Sequence, residues 1–173
     1  MPNYIRAKTP GGTYFFTVNL AQRGSHMLVD RIAELRAVVK HVKRARPFAV
    51  DAWVVLPDHM HMVWTLPPGD ADFSVRIGSI KAQFSMAVRR AGFIPPPPIG
   101  KTNGGVNGKL EGVVNCRANG GVNPALRRKG EVGLWQPRFW EHHIRTETDY
   151  WNHIRYCWMN PVKHGFVDRP QDW

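Results

Sequence analysis

The sequence predicts an α+β fold of the ferredoxin-like type, an antiparallel sheet followed by an additional C-terminal helix. Three observations lead to this prediction. Four segments have the composition of β-strands, helical periodicity separates the first from the second and the third from the fourth, and only a two-residue turn joins the second to the third. The order βαββαβ is that of a split βαβ fold, whose first and third strands lie in the centre of the sheet.

The first strand and the first helix are predicted from composition and periodicity. Residues 13–20 are rich in aromatic and β-branched side chains, which favour strands. Asp30 is expected to cap the helix that follows, and Pro47 to end it. An apolar stripe at i, i+3, i+4 and i+7 marks the buried side of this helix; its members are Leu35, Val38, Val39 and Val42.

The next two strands, residues 48–56 and 59–66, are separated by the turn pair Pro57-Asp58, so we expect an antiparallel pair. Asp72 is expected to cap the second helix and Gly92 to end it. The buried stripe predicted for this helix consists of Phe73, Ile77, Ile80, Phe84 and Val88.

Residues 92–133 have a different composition from the rest of the chain. They contain a proline run, and Gly-Gly-Val-Asn occurs at 104–107 and again at 120–123. The repeat is too short and too polar for a solenoid unit. We interpret this segment as a flexible insertion in a single domain that spans residues 1–173.

Regular structure is predicted again from a fourth strand, which follows Pro137. Thr146, with Asp149 three residues later, resembles a capping box at the start of the last helix. This helix is expected to run to about Asn160, where Pro161 would end it.

The composition indicates a polyanionic partner. The chain has 24 Lys and Arg against 13 Asp and Glu, a formal net charge of +11, which favours nucleic acid over a membrane surface. No apolar run is long enough to cross a membrane, and the two cysteines lack metal-binding spacing, so we expect a reducing, cytoplasmic location in association with chromosomal DNA. Eight cations are candidates for contacts with DNA, although a solvated surface is the alternative for most of them: Arg36, Lys40, Lys43, Arg44, Lys81, Arg89, Arg138 and Lys163.

Two histidines on the third strand are candidate metal ligands. Because side chains alternate along a strand, His59 and His61 point to one face, and Met60, Met62 and Trp64 point to the other. The apolar set suits the helix-covered face, which leaves the histidines on the open face, within reach of a ligand. The alternative is a pair of ordinary polar residues on a solvated strand, because short His-x-His matches are common.

The last helix supplies candidate partners for this pair. Tyr156 and Asn160 are four residues apart and therefore lie on one helical face. A tyrosine can attack a phosphodiester when a metal polarises the phosphate, and two imidazoles with an amide oxygen suit Mg²⁺ or Mn²⁺ acting as a Lewis acid. Taken alone, Tyr156 is more typical of an amphipathic core residue with its hydroxyl at the surface, and Asn160 is more typical of a helix-end residue before proline. Tyr150 is the rival tyrosine, but Ile154 stands four residues after it.

Four stretches together resemble the REP-associated tyrosine transposases, which are relatives of the single-tyrosine HUH transposases. The resemblance covers most of the chain outside roughly residues 92–130. Its motifs are Leu56-Pro57-Asp58-His59-Met60-His61; Phe73-Ser74, Ile80-Lys81 and Phe84-Ser85; Trp135-Gln136-Pro137-Arg138-Phe139-Trp140-Glu141-His142; and Tyr156 with Asn160-Pro161-Val162-Lys163-His164-Gly165.

The resemblance implies a ferredoxin-like nuclease that binds hairpins in single-stranded DNA and joins a tyrosine to the 5′ phosphate. Carried over by position, His59 and His61 would be metal ligands, Tyr156 the nucleophile and Asn160 the third, amide-type ligand. The resemblance leaves a monomer and a homodimer open. Relatives generally continue past a similar Asp-Trp, so a catalytically silent DNA-binding protein is an alternative, as is an unrelated metal hydrolase. A zinc site drawn from the four further histidines is an alternative that their spacing does not support. These histidines fall outside the predicted metal set: His142, His143, His153 and His164.

Overall fold

The computed structural model describes residues 8–91 and 133–173, and it confirms the predicted fold class. Four antiparallel strands form one sheet in the order β2-β3-β1-β4, so the first and third strands are central, as predicted. Each strand lies within the segment predicted for it. The strands are β1 Thr13–Asn19, β2 Ala49–Val55, β3 His59–Thr65 and β4 Trp140–Ile144.

Helices lie between β1 and β2, between β3 and β4, and after β4. They are α1 Met27–Asp30, α2 Ile32–Ala45, α3 Phe73–Arg90 and α4 Glu147–Lys163, and a short 3₁₀ helix, Pro170–Asp172, comes last. Among the described residues, no helix combines the length and the apolar character needed to cross a membrane.

Helices α2 and α3 cover one face of the sheet and form the larger apolar core with it. Met60, Met62 and Trp64 of β3 are fully or almost fully buried in this core. Both predicted helical stripes are confirmed, because every member is buried: Leu35, Val38, Val39 and Val42 of α2, and Phe73, Ile77, Ile80, Phe84 and Val88 of α3.

The opposite face of the sheet is partly covered by α4, which packs on β2 and β3. A smaller apolar cluster holds this helix in place, and Cys157 is its buried contribution from α4. The sheet and the residue that follows β2 supply the rest of the buried cluster: Phe15, Val54, Leu56, Val63 and Ile144. The histidine-bearing face of β3 therefore meets the last helix.

The start of α2 differs from the prediction. Asp30 is the last residue of the short helix α1, and the N-cap position of α2 is occupied by Arg31, which makes no side-chain capping hydrogen bond. The backbone N–H of Arg31 instead donates to the carbonyl of Met27, because an extra helical turn precedes α2. Asp72 does cap α3, since its side chain accepts a hydrogen bond from the N–H of Val75.

The end of α4 also differs from the prediction, because the helix continues through Pro161 to Lys163. Gly165 ends it, with a φ of 70°. Its N–H donates to the carbonyl of Val162, and the N–H of Phe166 donates to the carbonyl of Pro161. These two bonds are those of a Schellman motif, so a left-handed glycine rather than the proline stops the helix. Asn160 consequently lies inside regular helix.

Two sequence predictions fall on residues that the structure does not describe. Gly92, the expected end of α3, is one of them. The predicted insertion at 92–133, with its repeated Gly-Gly-Val-Asn, is the other, apart from its last residue.

Candidate active site

The histidine pair lies on the central strand β3 and faces α4, on the face of the sheet opposite α2 and α3. His59 and His61 are both buried, and their ring centroids are 5.1 Å apart. His164, which follows α4, has its ring centroid 5.2 Å from that of His59. The alternation predicted for this strand is confirmed, because Met60, Met62 and Trp64 belong to the larger core on the other face.

A hydrogen bond at Nδ1 orients each imidazole. Nδ1 of His59 lies 2.6 Å from the Asp58 carboxylate, and Nδ1 of His61 lies 2.9 Å from the Thr17 hydroxyl. Asp58 is itself held by the backbone N–H of Gly24 at 2.8 Å. Metal-binding histidines commonly use one ring nitrogen for the ion and the other for such an oxygen partner. In both rings Nε2 is the nitrogen left for a ligand.

His61 stays a neutral imidazole over the physiological range. Burial, together with the nearby His59, His164 and Lys163, lowers the pKa of His61 to about 3. Its Nε2 atom is buried and has no hydrogen-bond partner among the described residues. A neutral imidazole with a free, desolvated lone pair is the form that coordinates a metal.

Tyr156 lies beside this pair on α4. Its ring centroid is 5.1 Å from that of His61 and 5.6 Å from that of Phe15. The Lys163 ammonium lies over the tyrosine ring, 5.2 Å from its centroid. The tyrosine is 37% exposed, so a large substrate can reach it.

Asn160 follows Tyr156 by one helical turn and is 1% exposed. Both polar atoms of its side chain are buried, and neither has a hydrogen-bond partner in the described part of the chain. An orphaned buried amide costs about 1–3 kcal/mol unless a ligand satisfies it. Of these unsatisfied atoms, Oδ1 of Asn160 and Nε2 of His61 are ligand atoms of the kind that a divalent metal accepts, so both residues fit the ligand set that the resemblance implies.

The two other candidate nucleophiles on α4 are less suited to the reaction. Burial raises the pKa of the Cys157 thiol to about 12, so the thiolate is not formed at neutral pH. Burial and the nearby Asp51 carboxylate raise the pKa of Tyr150, which packs against the smaller cluster. Tyr156 is therefore the tyrosine that both the spacing and the ring contacts favour.

A second polar group lies under the first half of α4, and the spacing of its residues in the sequence did not predict it. The ligand atoms of His142, Asp149 and His153 all lie within 4.8 Å of one another. Asp149 and His153 are four residues apart on the helix, which is the one sequence signal for this group. His142 comes from β4 and is brought to them only by the fold.

Most of the candidate DNA-binding cations lie on helices on the two faces of the sheet, and Arg138 lies just before β4. Those on α2 and α3 belong to the helices that cover the face opposite the candidate site. Lys163 lies at the site, over Tyr156. Lys81 is bound to the backbone, because its ammonium donates to the carbonyl of Gln136 at 2.6 Å.

An antiparallel sheet in ferredoxin-like order, with a tyrosine beside a buried histidine pair, is the class of α+β domain that the resemblance to REP-associated tyrosine transposases implies. The chain is 42% identical to the REP-associated tyrosine transposase of Escherichia coli K12, over all of this chain and 80% of that protein. A Haemophilus influenzae protein given the same family name is 36% identical over all of this chain and 83% of its own length. The chain belongs to the REP-associated tyrosine transposases.

A solved structure supports the same conclusion. The structure of a REP-associated tyrosine transposase bound to a REP hairpin matches with a TM-score of 0.73 and 40% identity, over all of this chain and 80% of that one. No protein-family model matches the sequence.

Proposed function

We propose that this chain cleaves single-stranded DNA beside a hairpin and transfers the cut strand, through a covalent link between Tyr156 and the 5′ phosphate. One observation carries the proposal. The ring centroid of Tyr156 lies 5.1 Å from that of His61. The Nε2 atom of His61 and both polar side-chain atoms of Asn160, one helical turn after Tyr156, are buried and have no hydrogen-bond partner among the described residues. Buried polar atoms beside an accessible tyrosine favour a site that takes a ligand.

The chemistry is a transesterification that conserves the number of phosphodiester bonds. The Tyr156 oxygen attacks the scissile phosphorus and forms a tyrosine–phosphate bond, while the bond from phosphorus to the 3′ oxygen breaks. The phenolic proton is lost from the tyrosine, and the 3′ oxygen gains a proton to leave as a free hydroxyl. Attack by a 3′ hydroxyl on the tyrosine–phosphate bond reverses these changes and joins the strands.

His59, His61 and Asn160 would hold the divalent metal, Mg²⁺ or Mn²⁺. When bound, such an ion supplies Lewis-acid stabilisation of the charge that develops on the phosphate. Asp58 and Thr17 orient the two imidazoles through Nδ1. The remaining open coordination positions would be available to phosphate oxygens.

Hairpin-bearing single-stranded DNA is the substrate class that we propose. The solved relative is bound to a REP hairpin. The net charge of +11 favours a polyanion, and Lys163 lies over the ring of the proposed nucleophile, where it would face the scissile phosphate.

The test is formation of a covalent adduct between the protein and a labelled oligonucleotide that carries a hairpin. With Mn²⁺ or Mg²⁺ the wild type should form an adduct that survives denaturation, and EDTA should abolish it. The Tyr156→Phe variant should form none, because the substitution removes only the attacking oxygen.

Tyr150→Phe is the matched control, since it makes the same change on the same helix and should leave adduct formation intact. Equal adduct formation by Tyr156→Phe would overturn the assignment. Tight hairpin binding without any adduct in either metal would contradict the enzymatic proposal and favour the silent DNA-binding alternative.

A further inference from the structure

The group formed by His142, Asp149 and His153 is not used by the proposed chemistry. We propose that these residues form a second divalent-metal site, suited to Zn²⁺ or an ion of similar ligand preference. Two imidazoles and a carboxylate are the protein ligands of many zinc sites that keep a fourth position open. This inference does not depend on the proposed function, because binding at this group can be measured without DNA.

The distances fit coordination after a small adjustment. His142 Nε2 lies 2.8 Å from Asp149 Oδ2, and His153 Nδ1 lies 3.0 Å from Asp149 Oδ1. Ligand atoms about 2.0–2.1 Å from a tetrahedral zinc are roughly 3.3 Å apart. Each of these two histidine–carboxylate distances therefore needs to lengthen by only a few tenths of an ångström, and the ligand atoms of all three side chains lie within 4.8 Å of one another.

The group is arranged as a carboxylate shared by two imidazoles. The rings of His142 and His153 are stacked, with centroids 4.8 Å apart and planes 22° from parallel. His153 Nδ1 also lies 2.8 Å from the backbone carbonyl of Asp149, so without metal this nitrogen can serve as a donor. Metal binding at Nδ1 would require its proton to be released or to move to Nε2, which is the usual competition between protons and metal at a histidine.

The side chains are accessible but not fully solvated. Those of His142, Asp149 and His153 are 39%, 26% and 20% exposed. This exposure gives an ion a path to the group and leaves room for a water or phosphate oxygen as an additional ligand. Trp140 stacks on His142, with centroids 6.0 Å apart and planes 8° from parallel, and so shields one side of the group.

An aromatic ring separates this group from the candidate active site. The Phe15 ring centroid is 4.7 Å from that of His153 and 5.4 Å from that of His61. The two groups thus lie on either side of Phe15, on the sheet face that meets α4. A metal at the second site would tie β4 to the helix that carries Tyr156.

The experiment is a titration of the metal-free protein with Zn²⁺, repeated with Co²⁺ to record the visible absorption of a tetrahedral complex. It uses a His59→Ala/His61→Ala background, which removes the first candidate site. We expect one equivalent of Zn²⁺ to bind, and the melting temperature to rise by about 5–10 °C at a hundredfold excess over Kd. Asp149→Asn keeps the shape of the side chain and removes its charge. Added to this background, it should weaken Zn²⁺ binding at least tenfold and remove the Co²⁺ absorption.

His142→Ala and His153→Ala should have the same effect in that background. His41→Ala is the matched control, because it removes an exposed histidine of α2 and should leave Zn²⁺ binding unchanged. Zn²⁺ bound with equal affinity by the Asp149→Asn protein would overturn the proposal. Failure of the background protein to bind Zn²⁺, while its circular dichroism shows it to be folded, would overturn it as well.

Discussion

At the scale of single residues, the candidate site depends on how two imidazoles are oriented. Thr17 lies directly opposite His61 in the register of β1 and β3, which brings its hydroxyl within 2.9 Å of Nδ1. A hydroxyl at this position holds the ring in one orientation, and when it accepts a hydrogen bond from Nδ1–H it leaves the Nε2 lone pair free for a metal. The hydroxyl touches neither Nε2 nor a ligand, so Thr17 is a positioning residue.

Thr17→Val should raise the concentration of Mn²⁺ needed for half-maximal adduct formation by about 10–100-fold. Metal affinity usually falls by this factor when a metal-binding histidine loses the hydrogen-bond partner of its other ring nitrogen. The rate at saturating metal should change much less, because Tyr156 is unaltered. Thr13→Val is the matched control on the same strand, since the Thr13 hydroxyl bonds to that of Thr65 instead. Equal metal requirements for the two variants would contradict the role given to Thr17.

At the scale of elements, α4 carries most of the candidate chemistry along one stripe. Asp149, His153, Tyr156 and Asn160 follow one another at intervals of four, three and four residues, so they share a helical face. The Thr146 hydroxyl accepts a hydrogen bond from the N–H of Asp149 at the start of the helix, as predicted. Both ends of α4 are thus fixed by specific hydrogen bonds, which keeps the stripe in register with the sheet.

Two glycine substitutions should change stability in opposite directions. Gly165 has a φ of 70°, where a side chain is strained, so Gly165→Ala should lower the free energy of unfolding by about 1 kcal/mol. Gly78 lies inside α3, and an added methyl group would meet no atom within 4 Å. Gly78→Ala should therefore raise the free energy of unfolding by about 0.5–1 kcal/mol.

Urea unfolding of the two variants and the wild type measures both effects. Each variant makes the same chemical change, so the difference between them isolates the backbone conformation. A stabilising Gly165→Ala would contradict the Schellman end assigned to α4.

At the scale of the whole molecule, the net charge of +11 should dominate the affinity for DNA. Candidate cations lie on both sides of the sheet, with Lys163 at the site and others on α2 and α3. Each phosphate that these cations contact would release a counterion, so the number of contacts sets the salt dependence that we predict.

Affinity for a hairpin oligonucleotide should therefore fall steeply with salt. Contact with about five phosphates predicts a loss of about 10²-fold between roughly 50 and 200 mM salt, because each contact contributes about −0.7 to the logarithmic slope for single strands. Lys163→Gln should make the slope shallower by about 0.7.

Lys8→Gln removes an exposed charge outside the candidate set and should leave the slope unchanged. Fluorescence anisotropy over a salt series measures these slopes. A flat response to salt in the wild type would be incompatible with a phosphate-driven interface.

The sequence by itself determined the strands, the long helices and the direction in which their side chains point. Alternation along β3 put His59 and His61 on one face, and helical spacing put Tyr156 and Asn160 on one face. These predictions succeeded because each depends only on the local backbone period.

Only the tertiary structure decided which of these faces meet. Strand pairing brought Thr17 to His61, and the packing of α4 on the sheet brought Tyr156 beside that histidine. The same packing joined His142 of β4 to Asp149 and His153, a group that no local spacing could reveal in full. The physical reason is that local periodicity fixes the orientation of side chains within an element, whereas contacts between elements distant in sequence depend on the sheet order and on the burial of apolar surface.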